Sequence, residues 1–227
     1  MISSRFHRWK EEEAAKLSRM TFRKKAEYIA YYYKFYFLGL AAAVVLFLFA
    51  GEVLVNRSKT VILSGLITND DWNRFSASDI SRDYASRIGL SSSQKLLLDD
   101  GLYIDEEGQA AEIAAASRGK IIAGITTKSL DFVITEKSVL DEFRPQMTFC
   151  SLNELLPDDL FRALRDSMAT YTDENGKTIY YALSLKDSRY LTDAPEVTGT
   201  YYLFVPSIAP HREQTADFIR YCFEQVP

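Results

Sequence analysis

Histidine and cysteine are scarce, with two of each among 227 residues, and that scarcity excludes several chemistries at once. No HExxH, no CxxC and no glycine-rich phosphate loop occurs, so zinc and nucleotide sites lack their minimum ligands. His7 lies in a basic N-terminal head, and His211 stands alone at the start of the last helical segment, where a solvent-exposed position is expected. A serine hydrolase needs a base paired to its nucleophile, and the serines here have no histidine with an evident partner. No catalytic residue, no cofactor and no metal site is therefore assigned, and the expected reading is not an enzyme. The acidic run Asp99, Asp100, Asp105, Glu106 and Glu107 has no calcium-loop spacing and reads as a solvated turn. Cys222 falls on an apolar helix stripe, where a small buried thiol is the default; a bridge to Cys150 is the open alternative.

Each part of the chain is also short of charge of one sign. The totals of 27 Lys+Arg and 31 Asp+Glu give a net charge of -4 that hides the distribution. Residues 1–34 carry nine bases and four acids, residues 35–55 carry only Glu52, and residues 56–227 carry 18 bases and 26 acids. A basic head, a nearly uncharged stretch and an acidic body do not describe a simple cytosolic enzyme. A phosphate backbone needs a basic face, so no nucleic-acid partner is expected for the body.

The uncharged stretch is FYFLGLAAAVVLFLFAG, residues 35–51, and extends through Val55 with Glu52 as its only charge. Twenty-one residues of helix span about 31 Å, which matches a hydrocarbon core of about 30 Å. A cleaved signal peptide would need a 34-residue charged region, and neither a small-x-small site nor a cysteine follows the run. The expectation is an uncleaved signal anchor that meets the lipid bilayer through residues 35–55. The excess of bases before the run puts the N-terminus in the cytoplasm and the C-terminal domain outside the cell. Tyrosines 28, 31, 32, 33 and 36 sit at the expected headgroup level. Thr21 is placed to cap a helix beginning at Phe22, a cytoplasmic basic juxtamembrane helix within residues 1–34. That segment either lies along the inner leaflet or runs straight into the span. Its bases either attract anionic lipid or only set topology.

Residues 56–227 are enough for a core of their own. VILSGLI (61–67) reads as a buried strand, and residues 77–90 as a helix capped by Ser78. Residues 96–98 and 102–104 suggest two short strands around the Asp99-Asp100-Gly101 turn. A helix over 109–124 would bury Ala110, Ile113, Ala114, Ile121, Ile122 and Ile125. LDFVIT (130–135) is a strand feeding a helix at 136–143 with Thr135 as cap, and Asp131 is expected to cap or orient that strand, with a ligand contact as the alternative. Ser151 and Glu154 suggest a capping box, and Pro157 opens a helix to about Met168. Residues 171–185 form a hairpin candidate, residues 201–205 a strand, and 210–225 a helix with an apolar stripe. Strands alternating with helices predict a small mixed-sheet α/β domain behind an N-terminal transmembrane helix.

Three stretches carry a family resemblance: IAAASRGKIIAGITTKSLDFVIT (113–135), EKSVLDEFRPQMTFCSLNELL (136–156) and TYYLFVPSIAPHREQTADFIRYCFE (200–224). They resemble a lobe helix and strand, the following helix, and the closing strand and helix of extracellular solute-binding proteins of the type 2 periplasmic class. The head and span, with KAEYI and YYYKF, resemble small membrane proteins of anaerobic Gram-positive bacteria that carry such a domain on one N-terminal helix. The outer part is short for two full lobes, so the resemblance implies a truncated solute-binding lobe. It further implies ligand contacts at strand ends and helix starts: Asp70, Asp71, Trp72, Thr135, Glu136 and Ser207. Trp72 either stacks on a ligand ring or packs on the next helix. The implied function is a membrane-anchored, non-catalytic binding or sensing module with a small-molecule ligand. The rival is a protein-interaction or assembly subunit with a protein partner and no ligand.

Overall fold

The computed structural model describes residues 21–104, 110–192 and 200–224, and the chain divides into two compact units at Ser58. The first unit is dominated by α1, Phe22–Ser58, which runs unbroken through 37 residues or about 55 Å. Thr21 lies just before it, and residues 22–34 and the apolar run are turns of the same helix. Among the described residues, Tyr33–Ser58 is one stretch long and apolar enough to cross a membrane. Its Leu46, Phe47 and Phe49 are each more than 60% exposed, an apolar surface compatible with a lipid bilayer.

The second unit holds a six-stranded mixed sheet in the order β2-β1-β3-β6-β5-β4. The strands are β1 (Thr60–Thr68), β2 (Gln94–Leu102), β3 (Phe132–Glu136), β4 (Met168–Thr172), β5 (Thr178–Ser184) and β6 (Tyr201–Phe204). β1 runs parallel to β2 and β3; β6 turns antiparallel to β3, and the β4–β5 hairpin continues antiparallel. The connecting helices are α2 (Ala77–Ile88), α3 (Ala111–Thr126), α4 (Lys137–Phe143), α5 (Leu152–Leu155), α6 (Asp158–Leu164) and α7 (Arg212–Phe223). α2, α5, α6 and α7 share one apolar core with Leu63, Ile67, Phe132 and Ile134, while α3 and α4 pack on the other sheet face around Leu66 and Val133. Alternate residues of β1 and β3 thus supply opposite cores, which is why both strands read as continuous apolar runs.

Several local expectations are corrected. β2 is one nine-residue strand, because Asp99-Asp100-Gly101 is a bulge and not a turn: Leu66 and Thr68 pair with Asp99 and Leu102, so β2 carries one extra residue. Asp99 accepts from the Gly101 N–H at 2.9 Å and holds that bulge. The α2 cap is Ser76, not Ser78. In α3 the buried row is Ala114, Ser117 and Ile121; Ile113 and Ile122 lie about 100° to either side of it and are exposed. Ser151 stands at the N-cap of α5, but its hydroxyl turns to Asn153 and Glu154 pairs with Lys177. The helix after Pro157 ends at Leu164, with a 3₁₀ turn over Arg165–Ser167. The hairpin forms as expected, with Gly176 at φ 79° and Asp173 accepting from the N–H groups of Asn175 and Lys177.

Arg87 at the end of α2 clamps α7, donating to Asp217 at 3.0 Å and to both carboxylate oxygens of Glu224 at 2.7 and 2.9 Å. That hydrogen bonding holds the Glu224 carboxyl below its ordinary range. A depressed folded-state value stabilises the fold above the unfolded carboxylate value, about 4.3, and the contribution is lost as pH falls through the folded value. Glu224→Gln should therefore lower the melting temperature above about pH 5 and converge with the parent chain as pH falls, which flattens the acid limb of the profile. An unchanged acid limb would show that the pair is screened away.

Candidate functional site

β1 and β3 are adjacent and parallel, but their chains leave in opposite directions. β1 leads through α2 to β2 on one side, and β3 leads through α4 toward the antiparallel half on the other. In open α/β sheets the divergence of two such strand ends makes the crevice where ligands bind. Here it falls at Thr68-Asn69-Asp70 and Thr135-Glu136.

The floor of this crevice is tightly bonded. Thr68 and Thr135 join hydroxyls at 2.7 Å, so Thr135 serves the sheet and does not cap α4, whose N-cap is Glu136. Asn69 takes a left-handed conformation at φ 56°, which asparagine tolerates better than most residues. Its side chain closes a two-way bond with Ile104, accepting from N–H at 2.7 Å and donating to the carbonyl at 2.8 Å. The same amide donates to Glu136 at 3.2 Å, and the Tyr201 hydroxyl donates to the Asn69 carbonyl at 2.5 Å. Asp70 caps its own loop, accepting from the N–H groups of Arg74 and Phe75 at 2.8 and 2.7 Å. Asp71 is exposed, and Trp72 is 49% exposed, half covered and half open to solvent. Burial pushes the Tyr201 phenol up, and the carboxylates of Glu136, Asp70 and Asp71 push it the same way.

Five of the six residues singled out in the sequence thus share one end of the sheet. Ser207 does not: it follows β6 at the opposite end, where its N–H donates to the Thr148 carbonyl at 3.0 Å beside the Phe149–Pro206 bridge. It lines a cavity of about 380 Å³ between the ends of α3 and α4.

At that opposite end the structure also joins two residues that sequence reasoning kept apart. The Asp131 carboxylate is fully buried, accepting from the Ser64 N–H at 2.7 Å and from the His211 N–H at 2.8 Å. His211 Nδ1 lies 2.9 Å from the same carboxylate, and its side chain is 32% exposed, so it is not the free helix-start residue expected. Asp131 thereby ties the start of β3 to β1 and to the N-terminus of α7, where a negative charge is favoured. A signal for this was present: an aspartate directly before a wholly apolar strand must find partners once buried.

The two cysteines are free and buried. Arg212 donates to Cys150 Sγ at 2.6 Å, yet burial pushes that thiol up, and Cys222, wholly enclosed, is pushed up further. High thiol values make poor nucleophiles at neutral pH. Among the described residues no three His, Cys, Asp or Glu side chains converge to hold a metal ion. Comparison with family models, curated proteins and solved structures finds no match to this chain.

Proposed function

We propose that the chain is a single-pass, N-in membrane protein that presents a truncated solute-binding-like α/β domain outside the cell as a non-catalytic binding or sensing module. The observation that carries this reading is the divergence of β1 and β3, which sets Asp71, Trp72 and Glu136 around a rigid polar floor. Carboxylates beside an accessible indole suit a small cationic ligand, since an aromatic face attracts a cation and the acids complete its neutralisation. The uneven charge and the apolar stretch Tyr33–Ser58 support the anchoring.

The test is the melting temperature of residues 57–227 against amines, polyamines, amino acids, peptides and sugars. A ligand at 100 times its dissociation constant should stabilise the domain by about 2.7 kcal/mol, a shift of several degrees. Trp72→Ala should abolish the shift. One observation favours the assembly subunit instead: Thr68 and Thr135 spend their hydroxyls on each other, Asn69 its amide on the Ile104 backbone, and Asp70 its carboxylate on its own loop. A flat panel on a cooperatively folded domain would support that second reading.

A further inference from the structure

We propose that the cavity at Ser207 is a second binding site, selective for an uncharged, mostly apolar molecule of about a dozen non-hydrogen atoms that carries a hydroxyl. The proposal stands on a different end of the sheet from the crevice at Trp72 and does not depend on it. A volume of about 380 Å³ lies within the range of small-molecule sites. At about 30 Å³ for each water-sized group it accommodates roughly a dozen such groups. Its walls are Ile125, Phe143 and Met147, and its lip is formed by Ile122 and Ile208, which are 49% and 42% exposed. An apolar lip on an apolar wall favours a hydrocarbon body, because displacing water from both is favourable.

Polarity at the same site decides the head group. Among the described residues no charged side chain lines the cavity; its polar lining includes Gln146, Thr148 and Ser207. Gln146 already donates its side-chain N–H to the Glu142 carbonyl at 3.0 Å, which leaves its amide oxygen as an acceptor. Thr148 and Ser207 bring hydroxyls that both donate and accept. α3 and α4 end here, and neither carries a basic residue in its last turn. Helix C-termini disfavour anions. A hydroxyl has both donors and acceptors available among the lining residues; a carboxylate meets helix C-termini with no cation among those residues.

The experiment uses the full-length chain in lipid nanodiscs, with ¹³C-labelled methionine methyl groups. Met147 lines the cavity, while Met168 on β4 reports the fold elsewhere. The probes are 4-phenylbutan-1-ol and its carboxylate counterpart, 4-phenylbutanoate. The expected result is a saturable shift of Met147 with the alcohol, a still Met168, and at least tenfold weaker binding of the carboxylate. Ile125→Trp, which fills the cavity, should abolish the shift, and Ser207→Ala should weaken it several-fold with Met168 unmoved. A linear, unsaturated response, equal binding of the two probes, or binding that survives both substitutions would overturn the proposal. Should Ile125→Trp disturb Met168, the Ser207→Ala titration and the alcohol-to-carboxylate ratio decide between the same outcomes.

Discussion

Replacing Gly65 with alanine should destabilise the domain by about 3 kcal/mol, the upper end of ordinary overpacking. Gly65 lies in the middle of β1, directly paired with Phe132 of β3. A Cβ there would meet the Phe132 ring at 2.5 Å from Cε2 and 2.7 Å from Cε1, with Cζ closer still. The ring has nowhere to withdraw, because it is fully buried and stacked on Phe218 of α7 with centroids 4.6 Å apart and planes at 21°. Relief would have to come from moving α7 or parting two central strands. Urea unfolding of Gly65→Ala, Phe132→Leu and the double variant would measure this. The double variant should be more stable than the sum of the single losses, with a coupling of about 1–3 kcal/mol. Strict additivity would place the Gly65 effect in the backbone, not in the ring.

Asp131→Ala should cost about 4 kcal/mol, because it strands two backbone amides and each polar group left without its partner costs about 1–3 kcal/mol. Removing the carboxylate leaves the amides of Ser64 and His211 without their acceptor, besides the imidazole. Asp131→Asn should lose less, since one oxygen still accepts, although its amide group meets donors on the other side. His211→Ala should cost only about 1 kcal/mol, because both backbone bonds to Asp131 survive it. Denaturant curves for the three variants give the order directly. A His211→Ala loss as large as that of Asp131→Ala would transfer the main role from the backbone bonds to the ring.

Much of the architecture was legible in residue order. The apolar stretch, the strands at 61–67 and 130–135 and the final helix each carry a pattern that only one kind of element satisfies. Asp99-Asp100-Gly101 misled because turn residues also build bulges, and only the partner strand β1 distinguishes the two. Thr135 misled because its hydroxyl could serve either a helix start or a cross-strand neighbour, and the neighbour, Thr68, lies 67 residues away. The crevice was legible where residues adjoin strand ends; grouping Ser207 with them failed because β6 runs against β3, which sends its far end to the other side of the sheet. Asp131 and His211 were each visible alone. Their 80-residue separation hid the contact, since sequence periodicity reports faces of elements and not which elements meet.

The strand order has a consequence for how the molecule is made. β6, last in the chain, sits between β3 and β5 and is the seam of the whole sheet. Until residues 201–204 are available, β2-β1-β3 and the β4–β5 hairpin are two fragments, each with an unpaired inner edge. Synthesis proceeds at about 5–20 residues per second, so the seam follows the completion of β3 by several seconds. Open strand edges are templates for pairing with other chains. A chain of this topology is therefore exposed to misassembly from the completion of β3 at Glu136 until β6 at Tyr201–Phe204 closes the sheet.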